Sequence, residues 1–311
     1  MIDAVSRRFF TSLAASGNLK ELASKYGMRG PRGFARRFIA GETVDEAIAA
    51  ARAIEAAGME QTLDFLGESV ASMPEADAAT RAYLAMFETI VAAGIGRNIS
   101  VKLTQFGLTI DRATCVDNLR RILDAAARHQ FFVRIDMENS PFTQVTLDVF
   151  ETMWQQGYRN AGVVLQSCLP RSMADARRMN ELGARVRVVK GAYKEPRSVA
   201  YQDKAQVDAA FVEIAKLLLS HGTYPAIATH DPAMIAAARA HAAAHGITPD
   251  RFEFQMLYGI RRDLQSALTA EGFRMRVYVP FGREWFPYFM RRLGERPANI
   301  GFVIRGILSE R

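Results

Sequence analysis

The chain has 311 residues, 49% of them hydrophobic and 23% charged, which supplies a core for one large domain or two ordinary ones and excludes general disorder. Its formal charge of +7 comes from arginines scattered over many segments instead of one basic stripe, so no nucleic-acid partner is expected. No apolar run approaches the roughly 18 residues of a spanning helix and the N-terminus lacks a secretory h-region. Cys115 and Cys168 form neither a CxxC nor a metal spacing. A cytoplasmic protein in a reducing compartment is the expectation.

The first 60 residues or so read as helices with Gly/Pro breaks, including a helix over Val44–Ala57 after the Gly41–Thr43 start signal. The densest basic stretch, Arg29–Arg37 (RGPRGFARR), reads as a solvated helix entrance in preference to a lipid or nucleic-acid contact. β-favouring runs then follow at Gln61–Leu66, Ile99–Thr104, Phe131–Met137, Gly162–Gln166, Val186–Lys190, Ala226–His230, Phe252–Leu257 and Arg276–Val279. Helical periodicity follows each in turn, over Pro74–Ala93, Arg112–His129, Thr143–Gly157, Ser172–Gly183, Val199–His221, Pro232–His245, Arg261–Glu271 and Glu284–Arg296.

A strand followed by a crossover helix, eight times over, favours a parallel sheet closed into a barrel, with a doubly wound open sheet as the alternative. Polar residues tip the balance: Lys102, Asp136, Gln166, Lys190, His230, Gln255 and Tyr278 fall within or near the C-terminal portions of their strands, the face that holds active sites in such barrels. The predicted organisation is a distorted (βα)8 barrel over 61–311 preceded by an N-terminal helical arm or cap over 1–60.

The stretch Arg276–Glu295 (RVYVPFGREWFPYFMRRLGE) runs a strand through a turn into a helix that sets Arg291 beside Arg292. Adjacent guanidiniums repel unless an anion lies between or above them, and a carboxylate that both grip by paired hydrogen bonds is the natural guest. Lys102, inside a strand-like run, must snorkel outward or meet an anion, and Asp136 stands at matching depth in the next strand, able to hold it charged or to form a simple buried pair. Arg187 and Lys190 are three apart, so strict alternation points only one inward unless the strand bends at Gly191. The Gly191-Ala192 step permits close backbone approach of a flat or phosphorylated ligand, and equally suits a tight turn. His230 reads more readily as a hydrogen-bonded structural residue than as a catalyst. His241 and His245 mimic metal spacing without the acidic neighbour of HExxH and read as an exposed helix face, and no metal is expected. There is no GxGxxG, P-loop or nucleophile elbow, so a nucleotide cofactor would not use a Rossmann fingerprint. Tyr193, Tyr278, Tyr288 and Trp285, close in sequence to these basic residues, offer flat walls for a small ring held by its carboxylate.

In SVKLTQFG, RIDMENS, VVLQ, RVVKGAY, ATH, FEFQMLYG and RVYVPFG followed by YFMRRLGERPAN, the chain resembles the flavin-dependent proline dehydrogenases, in particular the short monofunctional bacterial form. The motifs keep their order and cover all strands but the first, together with the last barrel helix. The resemblance implies a barrel with FAD over the C-terminal strand ends, oxidising L-proline to Δ1-pyrroline-5-carboxylate by hydride transfer from C5 to flavin N5. It implies that Arg291, Arg292 and Lys102 bind the carboxylate, that Tyr193, Tyr278 and Tyr288 line the ring pocket above Leu257, and that Glu295 buttresses the arginines. Asp136 and Arg187 would be catalytic, Arg187 lying near N5, and Met137, Gln166, Arg187, Lys190, Gly191, Ala192, Thr229 and His230 would contact FAD. A membrane quinone is the implied electron acceptor, reached by contact at the inner face of the cell membrane without insertion, and a separate pyrroline-5-carboxylate dehydrogenase would take the product. Phe281 stands where tyrosine is frequent and Ser167-Cys168 where Ala-Tyr is usual, which affects packing near the turn and cofactor and not the reaction. Two readings compete: a methylenetetrahydrofolate reductase, which needs a pterin pocket and a nicotinamide site, and a non-catalytic binding barrel whose arginines contact phosphates.

Overall fold

The computed structural model describes Met28 and residues 33–67 and 69–295, with the side chains of Phe34 and of residues 293–295 outside that description. The Glu295 side chain, Arg29, Arg32 and the arm before Met28 therefore lie outside the described residues. Eight parallel strands close on themselves in chain order: β1 (Glu60–Phe65), β2 (Asn98–Val101), β3 (Phe132–Ile135), β4 (Ala161–Gln166), β5 (Arg185–Val189), β6 (Ala226–Ala228), β7 (Glu253–Leu257) and β8 (Met275–Phe281). The closing β1–β8 pairing runs in register from Glu60 with Arg276 to Phe65 with Phe281, which excludes the open sheet. Among the described residues the α-helices are α1 (Val44–Ala56), ahead of the barrel, then α2 (Met73–Ala93), α3 (Arg112–Arg128), α4 (Thr143–Gln155), α5 (Ser172–Leu182), α6 (Lys204–His221), α7 (Pro232–Ala244), α8 (Arg262–Ala270) and α9 (Trp285–Glu295).

Local chemistry sets these boundaries. Thr43 and Glu46 form a reciprocal capping box at α1, while Ser72, Asp111, Asp203 and Asp231 accept backbone N–H groups at the starts of α2, α3, α6 and α7. The Asp203 cap explains why α6 begins at Lys204 and not at Val199: residues 190–203 form a loop tied back by Tyr201 N–H to Cys168 O at 2.8 Å. Strands crossing a barrel wall lose water from both faces, and all six residues of β4 are buried.

Two hydrophobic clusters divide the core. One runs from Ala47 to Phe281 and joins the barrel to its surrounding helices. The other joins Met28, Ala35, Phe38 and Ile39 of the N-terminal segment to Leu66 and to Trp285, Phe286, Tyr288, Phe289 and Met290 of α9. The N-terminal segment crosses the end of β8, where Ala40 N–H donates to Pro280 O and Gly282 N–H to Gly41 O, both at 2.9 Å. It also presses on Gly259, where a Cβ would come within 1.6 Å of Arg37 O. Gly259 has φ +73° as well, so both space and backbone demand glycine there. Phe281 is buried and packs on Phe65 with centroids 5.4 Å apart.

Candidate active site at the C-terminal mouth

Register carries charged side chains from separate strands to one depth. Val101 pairs with Ile135, so Lys102 and Asp136 each stand one residue past their strands, and Asp136 N–H extends the ladder to Val101 O at 2.9 Å. Lys102 Nζ lies 3.4 Å from Asp136 Oδ2 and 3.0 Å from Asp64 Oδ1. Arg187 Nη1 donates to Asp136 Oδ1 at 2.7 Å and its Nη2 to Ser100 Oγ at 3.1 Å. The Tyr278 hydroxyl donates to Asp136 Oδ2 at 2.7 Å, with the Arg187 guanidinium 5.3 Å from its ring centroid. Asp64, Lys102, Asp136 and Arg187 are all buried and, when ionised, sum to zero, which is how a low-dielectric site retains four charges. Burial, followed by the nearby Asp136 charge, holds the Tyr278 phenol well above its ordinary range, so it stays a donor.

A cavity of about 430 Å³ opens above this ring. Lys102, Asp136, Met137, Gln166 and Arg187 line its floor and one side, and Lys190, Gly191, Ala192 and Tyr193 contribute the segment after β5. Thr229, His230 and Leu257 come from the ends of β6 and β7, Tyr278 from β8, and Tyr288, Arg291 and Arg292 from α9. Of the site residues named from the sequence whose side chains are described, all line this one space except Trp285, which is buried in the second hydrophobic cluster and is no wall of the cavity. Successive helix residues point about 100° apart, yet Arg291 and Arg292 both face the cavity because the helix runs along its rim. Arg292 is buried, its guanidinium 5.1 Å from the Tyr288 ring centroid.

The Arg187–Lys190 ambiguity resolves in favour of both. Arg187 points into the barrel, and Lys190, beyond the strand, forms an ion pair with Asp208 Oδ1 at 2.5 Å and donates to Asp231 Oδ2 at 2.7 Å. The Lys190 contact is the largest influence lowering the Asp231 carboxyl. At Asp208 burial works the other way, but Lys190 and Lys204 outweigh it. Gly191 has φ +110°, and a Cβ there would stand 2.4 Å from Cys168 Sγ, so glycine lets the chain turn tightly against the β4 end. His230 Nε2 accepts the Leu257 N–H at 2.9 Å, which leaves the proton of its neutral ring on Nδ1.

Sequence reasoning missed Asp64, 3.0 Å from Lys102, together with Lys204 and Asp231 in the cavity wall. A carboxylate within QTLDFL was the available signal for the first. The Lys190 partners come from α6 and the cap of α7, and no spacing links them to β5. His241 and His245 stack with centroids 4.0 Å apart on α7, away from the cavity lining.

The family model described as proline dehydrogenase matches residues 47–305. Proline dehydrogenase 1 of Bacillus subtilis is 40% identical over 304 residues, spanning 98% of this chain and 99% of its own length. The proline dehydrogenase of Deinococcus radiodurans is 40% identical over 313 residues, spanning 99% and 100% respectively. Among solved structures, proline utilization A from Bdellovibrio bacteriovorus, inactivated by N-propargylglycine, superimposes with a TM-score of 0.80 at 28% identity, over 84% of this chain and 32% of that one. A parallel barrel with its charged cavity at the C-terminal mouth, a family match over most of its residues and 40% identity across nearly all of it make this chain a member of the proline dehydrogenase family.

Proposed function

We propose that the protein oxidises L-proline to Δ1-pyrroline-5-carboxylate with FAD as cofactor and a quinone as electron acceptor. The observation that carries this reading is the convergence of three cations, Lys102, Arg291 and Arg292, with Tyr193, Tyr278 and Tyr288 on one cavity. The cations hold the substrate carboxylate by charge-assisted hydrogen bonds, and the tyrosines and Leu257 enclose the apolar ring. Fixing both ends of so small a molecule sets the distance and angle of its C5 hydrogen, which is where an oriented site gains most of its rate.

The residues present fit a flavin. Buried in the wall, Arg187 Nε and Gln255 Oε1 meet no hydrogen-bond partner among the described residues, an unmet donor and acceptor suited to the alternating heteroatoms of an isoalloxazine edge. Lys190 and Lys204, balanced in this structure by Asp208 and Asp231, offer ammonium donors that a pyrophosphate would engage, with Gln166, Met137, Gly191, Ala192, Thr229 and His230 on the same cavity. When bound, FAD supplies the two-electron acceptor for the C5 hydrogen. Asp136 orients Arg187, whose cation favours negative charge developing beside it. Loss of the hydrogen is easiest when the proline nitrogen is a neutral amine, so turnover rises with pH. No helix among the described residues is long and apolar enough to cross a membrane, consistent with reaching a membrane quinone from the surface; the product passes to a separate pyrroline-5-carboxylate dehydrogenase.

The test is turnover of the purified protein with L-proline and a soluble quinone, with the product identified by mass. Stoichiometric pyrroline-5-carboxylate and reduced quinone are expected. A folded, flavin-loaded protein that yields neither contradicts the assignment.

A further inference from the structure

Asp64 is fully buried near the end of β1, level with Ser100 of β2 and Pro280 of β8. Its Oδ1 accepts from Lys102 Nζ at 3.0 Å, while Oδ2 has no hydrogen-bond partner among the described residues. The Tyr278 hydroxyl also faces Asp64 but donates to Asp136. A buried carboxylate with one oxygen unmet is a costly feature for packing alone.

The second carboxylate at the mouth is already engaged. Asp136 holds Arg187 at 2.7 Å and the Tyr278 hydroxyl at 2.7 Å, and its contact with Lys102 is longer, at 3.4 Å. Of the two described carboxylates beside Lys102, Asp64 is therefore the nearer and the less shared. Among the described residues, the groups around that ammonium include Asp64 of β1, Asp136 after β3, Arg187 of β5, Tyr278 of β8 and Tyr83 of α2, with Arg291 and Arg292 of α9 on the same cavity. Without the Asp64 charge, the carboxylate left beside Lys102 among the described residues would be Asp136, which Arg187 also holds, and the nearby guanidiniums would favour loss of the ammonium proton. Burial pushes the Asp64 carboxyl above its ordinary value, and the Lys102 charge, the largest opposing influence, pulls it part of the way back.

We propose that Asp64 is a positioning residue that keeps Lys102 protonated and aimed at the carboxylate of the bound substrate. The proposal rests on the reading of the cavity as a proline site and adds a residue that never touches the ligand. The decisive experiment is calorimetric titration of the flavin-loaded protein with cyclopentanecarboxylate, a five-membered-ring anion without an amine, from about pH 6.5 to about pH 9.5, a range that brackets loss of a lysine proton displaced from its ordinary value.

Wild-type affinity is expected to stay nearly constant. Asp64→Asn is expected to match it at the acidic end and to weaken by about tenfold or more at the alkaline end, as Lys102 loses its charge. In a Lys102→Met background the same substitution at Asp64 should add no pH dependence. Equal weakening at every pH reveals a merely structural role and overturns the proposal, as does an unchanged profile. Should the Asn variant not fold, Asp64→Ser gives the same comparison. The wild type decides on its own too: if its affinity falls about tenfold with rising pH and Lys102→Met abolishes that fall, Asp64 does not hold the proton. A folded, flavin-loaded wild type that binds none of the anion at any pH overturns the proline reading, and this proposal with it.

Discussion

The two halves of the candidate site are held by different forces. Its floor, from Asp64 to Tyr278, projects from neighbouring strands whose register is locked by the closed ladder, and its members bond one another. Its rim, Tyr288, Arg291 and Arg292, rides on a single helix seated by the second cluster and by Trp285 Nε1 donating to Glu42 Oε1 at 3.0 Å. Anything that loosens the floor disturbs the barrel, whereas the rim can shift against an intact barrel. The N-terminal segment is the surface against which the two-arginine helix packs.

The sharpest way to break the comparison is Arg292→Met. Removing one cation of the clamp should lower kcat/KM for proline by about 2–5 kcal/mol, with barrel stability little changed, and Arg292→Lys should rescue poorly because an ammonium cannot reproduce the planar fork. Steady-state kinetics beside thermal unfolding check both parts; unchanged kinetics would remove Arg292 from the clamp.

Trp285→Ala probes the seat instead of the clamp. The side chain is 1% exposed, and loss of a buried tryptophan costs about 3–5 kcal/mol of packing. The cost should fall on docking of α9, raising KM for proline by about tenfold or more while flavin content and the far-ultraviolet spectrum stay as in the wild type. Loss of flavin and barrel structure together would show that the two halves are one cooperative unit.

On the floor, Tyr278→Phe removes the hydroxyl that Asp136 accepts at 2.7 Å. A hydrogen bond to a charged group contributes about 1.5–3 kcal/mol, so urea unfolding should register that loss, and activity should fall with it. An equally stable variant would mean that Arg187 and Lys102 satisfy Asp136 unaided.

The smallest effect on turnover is expected at the opposite end of the barrel, where Glu253 bonds Arg276 Nε with both oxygens at 3.0 Å. Burial alone would raise the Glu253 carboxyl, but Arg276 outweighs it and the net displacement is downward. A carboxyl held low in the fold stabilises above its unfolded value, about 4.3, and that contribution disappears as pH falls through the lowered folded value. Glu253→Gln should therefore be less stable than wild type near neutrality, and the gap should narrow below about pH 4. A constant gap in unfolding experiments would contradict the linkage.

Most strands and helices were legible in the sequence because a strand buried on both faces and a helix with one apolar stripe leave different periods. Lys102 and Asp136 were legible as neighbours because equal depth in adjacent strands is a local property of each motif. Asp64 escaped for want of the register that sets it beside Ser100 and within reach of Lys102. The pairing of Lys190 with Asp208 and Asp231 depends on where α6 and α7 pack, information that no short window contains. The docking role of the N-terminal segment was hidden by its arginines: RGPRGFARR reads as a basic stretch, while Ala35, Phe38 and Ile39 are what it buries against α9.

The most direct measurement is an anaerobic titration of the purified protein with L-proline, followed through the visible flavin bands. The account predicts a yellow protein that bleaches as proline is added, with Arg291→Met and Arg292→Met each needing far more proline to reach the same end point. A protein that holds flavin yet stays yellow at saturating proline, or arginine variants that bleach at wild-type concentrations, would contradict it.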